Sequence, residues 1–290
     1  MESKGAIRAR LIIWSVVAVV LILVFAITMT MYLTGTGLDF LQLPIVSFGS
    51  NYSSYNAGNG STDKEIRNLD IDWASGEVHI IASESAEQIS FEESYDGNED
   101  ARLRWAVDGE TLKIRFRARN SLISFGSLNK KLTVTIPASL AQHLDKVKIG
   151  TASAEVNVSG LQADILDVDT ASGRLELDGT YGELLVDTAS GSVTFAGSCR
   201  KINIDTASGR IRLTPGDLWE DIDIDTASGN IELWLPESEK GFSVDYDKAS
   251  GKFSCDFPVL LSGKIYKIGE GAGRINVDSA SGNLKIYKAE

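Results

Sequence analysis

A five-residue segment, Asp-Thr-Ala-Ser-Gly, occurs four times in this chain at a nearly constant interval. The segments end at Gly173, Gly191, Gly209 and Gly229, which are 18, 18 and 20 residues apart. A short unit that recurs with a period of about 20 residues is typical of a solenoid, in which each unit buries its apolar face against its neighbours. The spacing therefore predicts a stack of similar structural units.

Apolar and polar residues alternate on both sides of each turn, as they do in β-strands that have one buried face. Near Gly209 the sequence KINIDTASGRIRL places Ile202, Ile204, Ile211 and Leu213 on one face. The corresponding residues of the other repeats are Leu166, Val168, Leu175, Leu177, Leu184, Val186, Val193, Phe195, Ile222, Ile224, Ile231 and Leu233. We therefore expect an all-β fold, a single-stranded β-solenoid with about 18–22 residues per rung.

The repeated turn is interpreted as a structural motif, because its residue types suit a tight corner. Glycine tolerates a positive φ at low cost, and Asp, Thr and Ser form local hydrogen bonds with the backbone. Looser copies of the turn continue to the C-terminus. The residues assigned to the structural turn motif are Asp169, Thr170, Ala171, Ser172, Gly173, Asp187, Gly191, Asp205, Gly209, Asp225, Gly229, Gly251 and Gly282.

The N-terminal segment predicts where the protein is located. Leu11 to Leu33 is a run of 23 residues without a charge, which is long enough to cross a hydrocarbon core of about 30 Å as a helix. An uncleaved anchor is favoured over a cleaved signal peptide, whose apolar region is shorter. Three basic residues precede the run and an aspartate is the first charge after it, so the positive-inside rule leaves the N-terminus in the cytoplasm. We expect a single-pass cell-membrane protein with an extracytoplasmic C-terminal domain.

Composition and pattern divide the chain into four parts. Residues 1–10 form the cytoplasmic tail, residues 11–33 the transmembrane helix, and residues 34–65, rich in Gly, Ser and Asn, a flexible linker. Residues 66–290 form the solenoid, with irregular rungs and a cap over 66–145 and regular repeats over 146–290. Lys285 and Lys288 lie on the last strand, where charge would discourage edge-to-edge association.

The sequence offers little that predicts catalysis or a cofactor. A net charge of -12 argues against a nucleic acid partner. The two histidines, His79 and His143, are interpreted as surface residues, and the two cysteines, Cys199 and Cys255, as unpaired. No metalloprotease, phosphate-loop, dinucleotide or serine-triad motif is present. We therefore predict no catalytic, cofactor-binding or metal-binding residue and a protein that is not an enzyme.

Aspartates just before the turns form the most acidic feature of the sequence. When the repeats are aligned, one outward column contains Asp169, Asp187, Asp205, Asp225, Asp247 and Asp278. Neighbouring carboxylates about 4.8 Å apart repel by roughly 0.9 kcal/mol in water, so an aligned column is expected to recruit counterions or the cationic side chains of neighbouring strands. The candidates on the strand after the turn are Arg174, Arg210, Arg212, Lys252 and Lys285. Structural calcium remains an alternative, as does a carbohydrate-active enzyme that uses carboxylates such as Asp223 and Asp225 of the segment EDIDID.

The membrane anchor, the segment LTVTIPASLAQHLDKVKIGTASAEVNV and the serial VDTASG turns are similar to those of a bacterial putative-adhesin family of unknown function. The resemblance covers about residues 66–290 and implies a β-solenoid outside the membrane. The family has no established biochemical role, so the resemblance implies no site residues. The expected function is a membrane-anchored, non-enzymatic adhesin that binds a cell-wall polymer or surface protein. The alternatives are a structural or sensory accessory of a membrane or envelope-stress complex, and the carboxylate-dependent enzyme.

Overall fold

The computed structural model describes residues 54–95, 101–116, 130–238 and 240–289. Its elements are β1 (Asn56–Ala57), β2 (Gly60–Thr62), β3 (Asn68–Ser83), β4 (Ile89–Ser94), β5 (Arg104–Asp108), β6 (Thr111–Arg115), β7 (Lys131–Pro137), α1 (Ala138–Ala141), β8 (Leu144–Pro215), β9 (Asp221–Leu235), β10 (Phe242–Ser250), β11 (Phe253–Cys255), β12 (Leu260–Ser262), β13 (Ile265–Ile268) and β14 (Gly273–Lys288). The prediction of an all-β chain is confirmed over these residues. The predicted cytoplasmic tail, transmembrane helix and most of the linker lie outside them, and within them no helix has the length and hydropathy to cross a membrane.

The repeats stack on one another in parallel. β9 pairs with β8 so that Gly229 lies beside Gly209, and with β14 so that Gly229 also lies beside Gly282. Within the long strand β8 the corners are equally close: a Cβ added to Gly191 would overlap the carbonyl oxygen of Gly173. The long strand therefore bends at each corner and returns above itself, so that successive repeats hydrogen-bond as layers.

The last layers do not follow the order of the chain. β14 pairs in parallel with β9 on one side and with β10 on the other, so Asp278 lies between Asp225 and Asp247. Along the sequence, β10 is followed by the antiparallel strands β12 and β13. The last strand, β14, then lies between β9 and β10 in the stack. The prediction that Lys285 and Lys288 protect an edge is therefore wrong, because β14 is an interior strand and β12 is the outermost one.

The same exchange occurs at the N-terminal end. β3 lies between β8 on one side and the pair β6 and β7 on the other, although β6 and β7 come later in the sequence. The antiparallel strands β5 and β4 then extend the sheet beyond this layer. At each end of the stack, the sheet therefore finishes in antiparallel strands. The parallel layer beside those strands is not in the order of the sequence.

The core is a continuous column of inward-facing residues that runs through all the layers. Every inward residue predicted around the four regular turns has an exposed fraction of 2% or less. The β14 layer continues the column with Ile275, Val277, Leu284 and Ile286, each no more than 1% exposed. The period-2 alternation alone therefore identified the buried face of the repeats.

Candidate functional site: the acidic ladder and its surroundings

The corner glycines allow the layers to approach closely. A Cβ on Gly209, Gly229 or Gly282 would overlap the backbone oxygen of the neighbouring corner in the stack. Gly191 and Gly282 occupy these corners without a positive φ. All of these corners therefore require the backbones of neighbouring layers to lie close together. At Gly251 the neighbouring backbone atom is the carbonyl oxygen of Gly282.

Threonine makes the local hydrogen bond at three of the corners. The hydroxyl groups of Thr170, Thr206 and Thr226 donate to the carbonyl oxygens of the serines two residues later, at 2.9, 3.2 and 3.2 Å. These threonines are buried, because they come one position after the outward-facing aspartate on an alternating strand. The expectation that threonine forms local hydrogen bonds at the turn is confirmed at these three corners.

The outward aspartates of the corners form a single column, which we call the acidic ladder. The strand registers place Asp205 beside Asp225, Asp225 beside Asp278, and Asp278 beside Asp247. The charge of Asp205 also acts on Asp187, its neighbour in the preceding repeat. The ladder in its order along the stack consists of Asp169, Asp187, Asp205, Asp225, Asp278 and Asp247.

Partial burial and mutual repulsion raise the pKa of several ladder carboxyls. Desolvation, followed by the charges of Asp205 and Asp169, raises the pKa of Asp187 to about 6. Desolvation, followed by the charges of Asp205 and Asp278, raises the pKa of Asp225 to about 6. The pKa values of Asp205 and Asp278 are also raised, mainly by desolvation. The middle of the ladder therefore binds protons more readily than ordinary aspartates do.

A lysine pairs with the first aspartate of the ladder. Lys148 lies 3.0 Å from Asp169 and 3.6 Å from Asp167. Among the residues that the structure describes, no Lys, Arg or His nitrogen lies within 4.0 Å of the carboxylates of Asp187 or Asp225. The middle of the ladder is consequently left without a compensating charge.

In the described part of the chain, the candidate cations of the strand after the turn form no ion pair with the ladder. Arg212 pairs with Glu232 at 2.9 Å and Arg174 with Glu176 at 3.7 Å, both on the strand that follows the corner. A cation of the preceding strand, Arg274, instead pairs with Asp221 at 2.5 Å and lowers the pKa of that carboxyl. Arg174 and Arg212, which the sequence offered as candidate partners of the ladder, therefore pair with glutamates of the strand after the corner instead.

Asp223 and Asp225, the carboxylates considered for catalysis, both lie among other acidic side chains. Asp221, two positions before Asp223 on the same face of β9, is ion-paired with Arg274. Within the described ranges, no three His, Cys, Asp or Glu side chains form a group that could hold a metal ion. His79 lies 3.1 Å from Glu77 on the surface of β3.

A shallow groove of about 500 Å³ lies at the opposite corner of the layers. The guanidinium of Arg67 donates two hydrogen bonds to Asp145, at 2.9 and 2.6 Å, at one end of this groove. His143 and Arg200 also line it. No local motif marks this groove in the sequence, because its residues come from distant repeats.

A buried ion pair closes the N-terminal end of the core. The ammonium of Lys130 lies 2.7 Å from the carboxylate of Glu93, and both side chains have an exposed fraction of 0%. Glu93 also accepts a hydrogen bond from the backbone of Leu103 at 3.0 Å. Desolvation lowers the pKa of Lys130.

The two cysteines are both free, and Cys199 is buried, as the sequence predicted.

Comparison with known families supports the similarity noted from the repeats. Residues 66–287 match the family model described as Toastrack DUF4097. Among curated proteins, no relative of this sequence is found.

Two solved structures illustrate the structural likeness. A putative adhesin from Bacteroides fragilis is 13% identical, with a TM-score of 0.44, and the match covers 79% of this chain and 95% of that one. A putative cell adhesion protein from Clostridium sporogenes is 14% identical, with a TM-score of 0.40, and the match covers 81% of this chain and 99% of that one. At these values no functional conclusion follows from either structure.

Proposed function

Because this chain belongs to the Toastrack DUF4097 family, we propose that it is a membrane-anchored, non-enzymatic envelope protein that binds a surface partner through its exposed strand faces. Leu11 to Leu33 is the proposed membrane span, and the stack of layers lies outside the membrane. The cell-wall polymer or surface protein expected from the sequence is the proposed class of partner.

The observation that supports this proposal is the uniformity of the exposed face. Asp205, Asp225 and Asp278 occupy equivalent positions in adjacent layers, with the same outward direction and acidic neighbours. A catalytic pair of carboxylates requires two groups whose surroundings give them different roles. A repeated row of equivalent groups instead offers many weak contacts on a rigid surface, which suits the binding of an extended partner.

The charge of this face restricts the chemistry of the partner. The carboxylates at the centre of the ladder pair with no cation among the described residues, and the whole chain has a net charge of -12. Contacts with a cationic protein surface, or with the amino groups of a cell-wall polymer, would offset the mutual repulsion of these carboxylates. The proposed binding is therefore sensitive to salt.

The test is capture of envelope components by the full chain held in detergent micelles. We expect a cell-wall polymer or surface protein to be retained at low salt and released as the ionic strength rises. A triple variant, Asp187→Asn, Asp205→Asn and Asp225→Asn, should retain less of it. Arg212→Gln is a matched control, because it changes a charge that pairs with Glu232 on the strand after the corner.

Two results would argue against the proposed function. Equal retention by the triple variant and the unchanged chain would remove the ladder from the binding surface. Turnover of a polysaccharide that is abolished by Asp223→Asn or Asp225→Asn would replace the proposal with the enzymatic alternative. Protease digestion of right-side-out vesicles tests the location, because the stack should be degraded from outside.

A further inference from the structure

The C-terminal end of the stack carries an exposed apolar hairpin formed by β12 and β13. Leu260 pairs with Lys267, Leu261 with Tyr266, and Ser262 with Ile265. A two-residue turn joins the strands, with Gly263 at a φ of 65°, which is the first central position of a type II′ turn. β13 attaches the hairpin to β10, whereas β12 forms the outer edge of the sheet.

The hairpin holds most of the large apolar side chains that the described fold leaves exposed to solvent. The exposed fractions are 73% for Leu260, 66% for Leu261 and 42% for Ile265. Only five large hydrophobic side chains are this exposed among the described residues, and these three are among them. A concentration of this kind marks an interaction surface, whereas single exposed apolar residues are ordinary.

The apolar side chains project from both faces of the hairpin. Leu261 is on the same face as Tyr266. The centroid of the Tyr266 ring lies 4.3 Å from the centroid of the Phe253 ring. Leu260 and Ile265 are on the opposite face, because neighbouring residues of a strand point to opposite sides. A flat protein surface could cover one of these faces but not both. A lipid bilayer surrounds an inserted hairpin and covers both faces together.

The charge of the hairpin also suits a membrane with anionic lipids. Residues 257–268, FPVLLSGKIYKI, contain two lysines and no acidic residue, although the whole chain has a net charge of -12. Within the described residues, neither Lys264 nor Lys267 has a carboxylate within 4.0 Å. Apolar side chains flanked by lysines are the combination that binds the interface of an anionic bilayer. The nearby acidic residues are Asp245, which lies opposite Ile265 in β10, and Asp256 and Glu270 on the flanking segments.

We propose that the β12–β13 hairpin inserts its leucines into the interface of an anionic lipid bilayer, as a second membrane contact distinct from the predicted N-terminal span. The stacked layers between β6 and β12 extend for about 50 Å at about 4.8 Å per strand. The 20 residues between Leu33 and Ser54 can span up to about 65 Å when extended. The hairpin can therefore reach the same membrane, and the tether raises its effective concentration there.

The test places a fluorescent probe on the hairpin of the full chain. An environment-sensitive dye is attached to Leu261→Cys in a Cys255→Ser background, since Cys199 is 1% exposed and stays protected. Vesicles contain phosphatidylcholine alone or with about 30% phosphatidylglycerol, together with a nitroxide-labelled lipid. Leu218→Cys supplies the matched control site, because Leu218 is also 66% exposed but lies outside the hairpin.

We expect the probe at position 261 to shift its emission to the blue in the anionic vesicles. Its quenching by the nitroxide lipid should exceed that of the probe at position 218 by at least about threefold. The combined changes Lys264→Glu and Lys267→Glu should weaken the association of the hairpin with lipid about tenfold, since each lysine near an anionic surface contributes to it. Leu260→Ser with Ile265→Ser should reduce the quenching at position 261 in the same way.

Three outcomes would overturn the proposal. The first is equal quenching at positions 218 and 261, which would show general proximity to the vesicle. The second is no quenching at position 261 in either lipid composition. The third is a blue shift without lipid that depends on protein concentration, which would assign the hairpin to contact with a second copy. Unchanged circular dichroism of every variant establishes that the stack remains folded.

Discussion

The acidic ladder should destabilise the fold at neutral pH, and removing one of its charges should therefore stabilise it. Asp225 is the most informative position, since it lies between Asp205 and Asp278 in adjacent layers. Replacement by asparagine keeps the size and polarity of the side chain and removes its charge. We expect Asp225→Asn to increase the free energy of unfolding near pH 7.5.

The spacing of the layers gives the expected magnitude. Each neighbouring aspartate, at about 4.8 Å, repels the Asp225 carboxylate by about 0.9 kcal/mol in water, and salt reduces the sum over both neighbours to about 1 kcal/mol. The rise of the Asp225 pKa from 3.8 to about 6 would correspond to about 3 kcal/mol for a fully buried group. Asp225 is only half-buried, so solvent screening favours the smaller value of about 1 kcal/mol.

The stabilisation should disappear in mild acid. The pKa of Asp225 is higher in the folded state than in the unfolded state, so the folded state binds more protons between these two values. Its penalty is fully present above pH 6 and is relieved as the pH falls through about 6 toward 3.8. The unchanged protein should accordingly become more stable between pH 7.5 and pH 5, and the benefit of Asp225→Asn should shrink.

Urea titration of the full chain in a mild detergent, near pH 7.5 and near pH 5, measures both effects. Asp221→Asn is the matched control in the same strand, because Arg274 pairs with Asp221 and lowers its pKa. The favourable contribution of Asp221 is lost only below pH 3.8, so this control should be neutral or destabilising at both values. Destabilisation by Asp225→Asn near pH 7.5, or a benefit that does not change with pH, would refute the reasoning.

Two further changes test the corners and the capped end of the stack. Gly209→Ala should destabilise the fold by about 1–3 kcal/mol, since its Cβ would overlap the carbonyl oxygen of Gly191 and force the layers apart; thermal unfolding followed by circular dichroism measures this. Lys130→Met alone should cost about 3–5 kcal/mol by leaving the Glu93 carboxylate buried and uncompensated, and the added change Glu93→Leu should recover much of that loss in a double-mutant cycle measured by urea titration.

Each of these predictions has a control in the same region. Ser208→Ala removes a half-buried hydroxyl beside Gly209 and should change the midpoint of unfolding little. A loss for Gly209→Ala that is no larger would show that the corner can widen freely. For the buried pair, a double variant that is as unstable as the sum of the two single variants would show that Lys130 and Glu93 do not depend on each other.

The sequence by itself determined the repeat and its buried face. A short turn and the alternation beside it are local features, and they operate in the same way in each repeat. Leu175 and Ile211 point inward because each has its place in an alternating strand, whichever layer lies above or below it. The aspartate column could be predicted for the same reason, since its members have the same offset from their glycines.

The tertiary structure alone decided which layers are neighbours at the two ends of the stack. Any strand with the same alternation of apolar and polar residues can pair in parallel with a given layer. The local sequence therefore did not reveal that β14 would lie between β9 and β10. The tertiary arrangement also pairs Arg274 with Asp221 and Lys130 with Glu93, and it places the leucines of β12 at the outer edge of the sheet. These contacts join residues distant in the sequence, and their partners depend on how the whole chain closes its ends, which no repeat encodes separately.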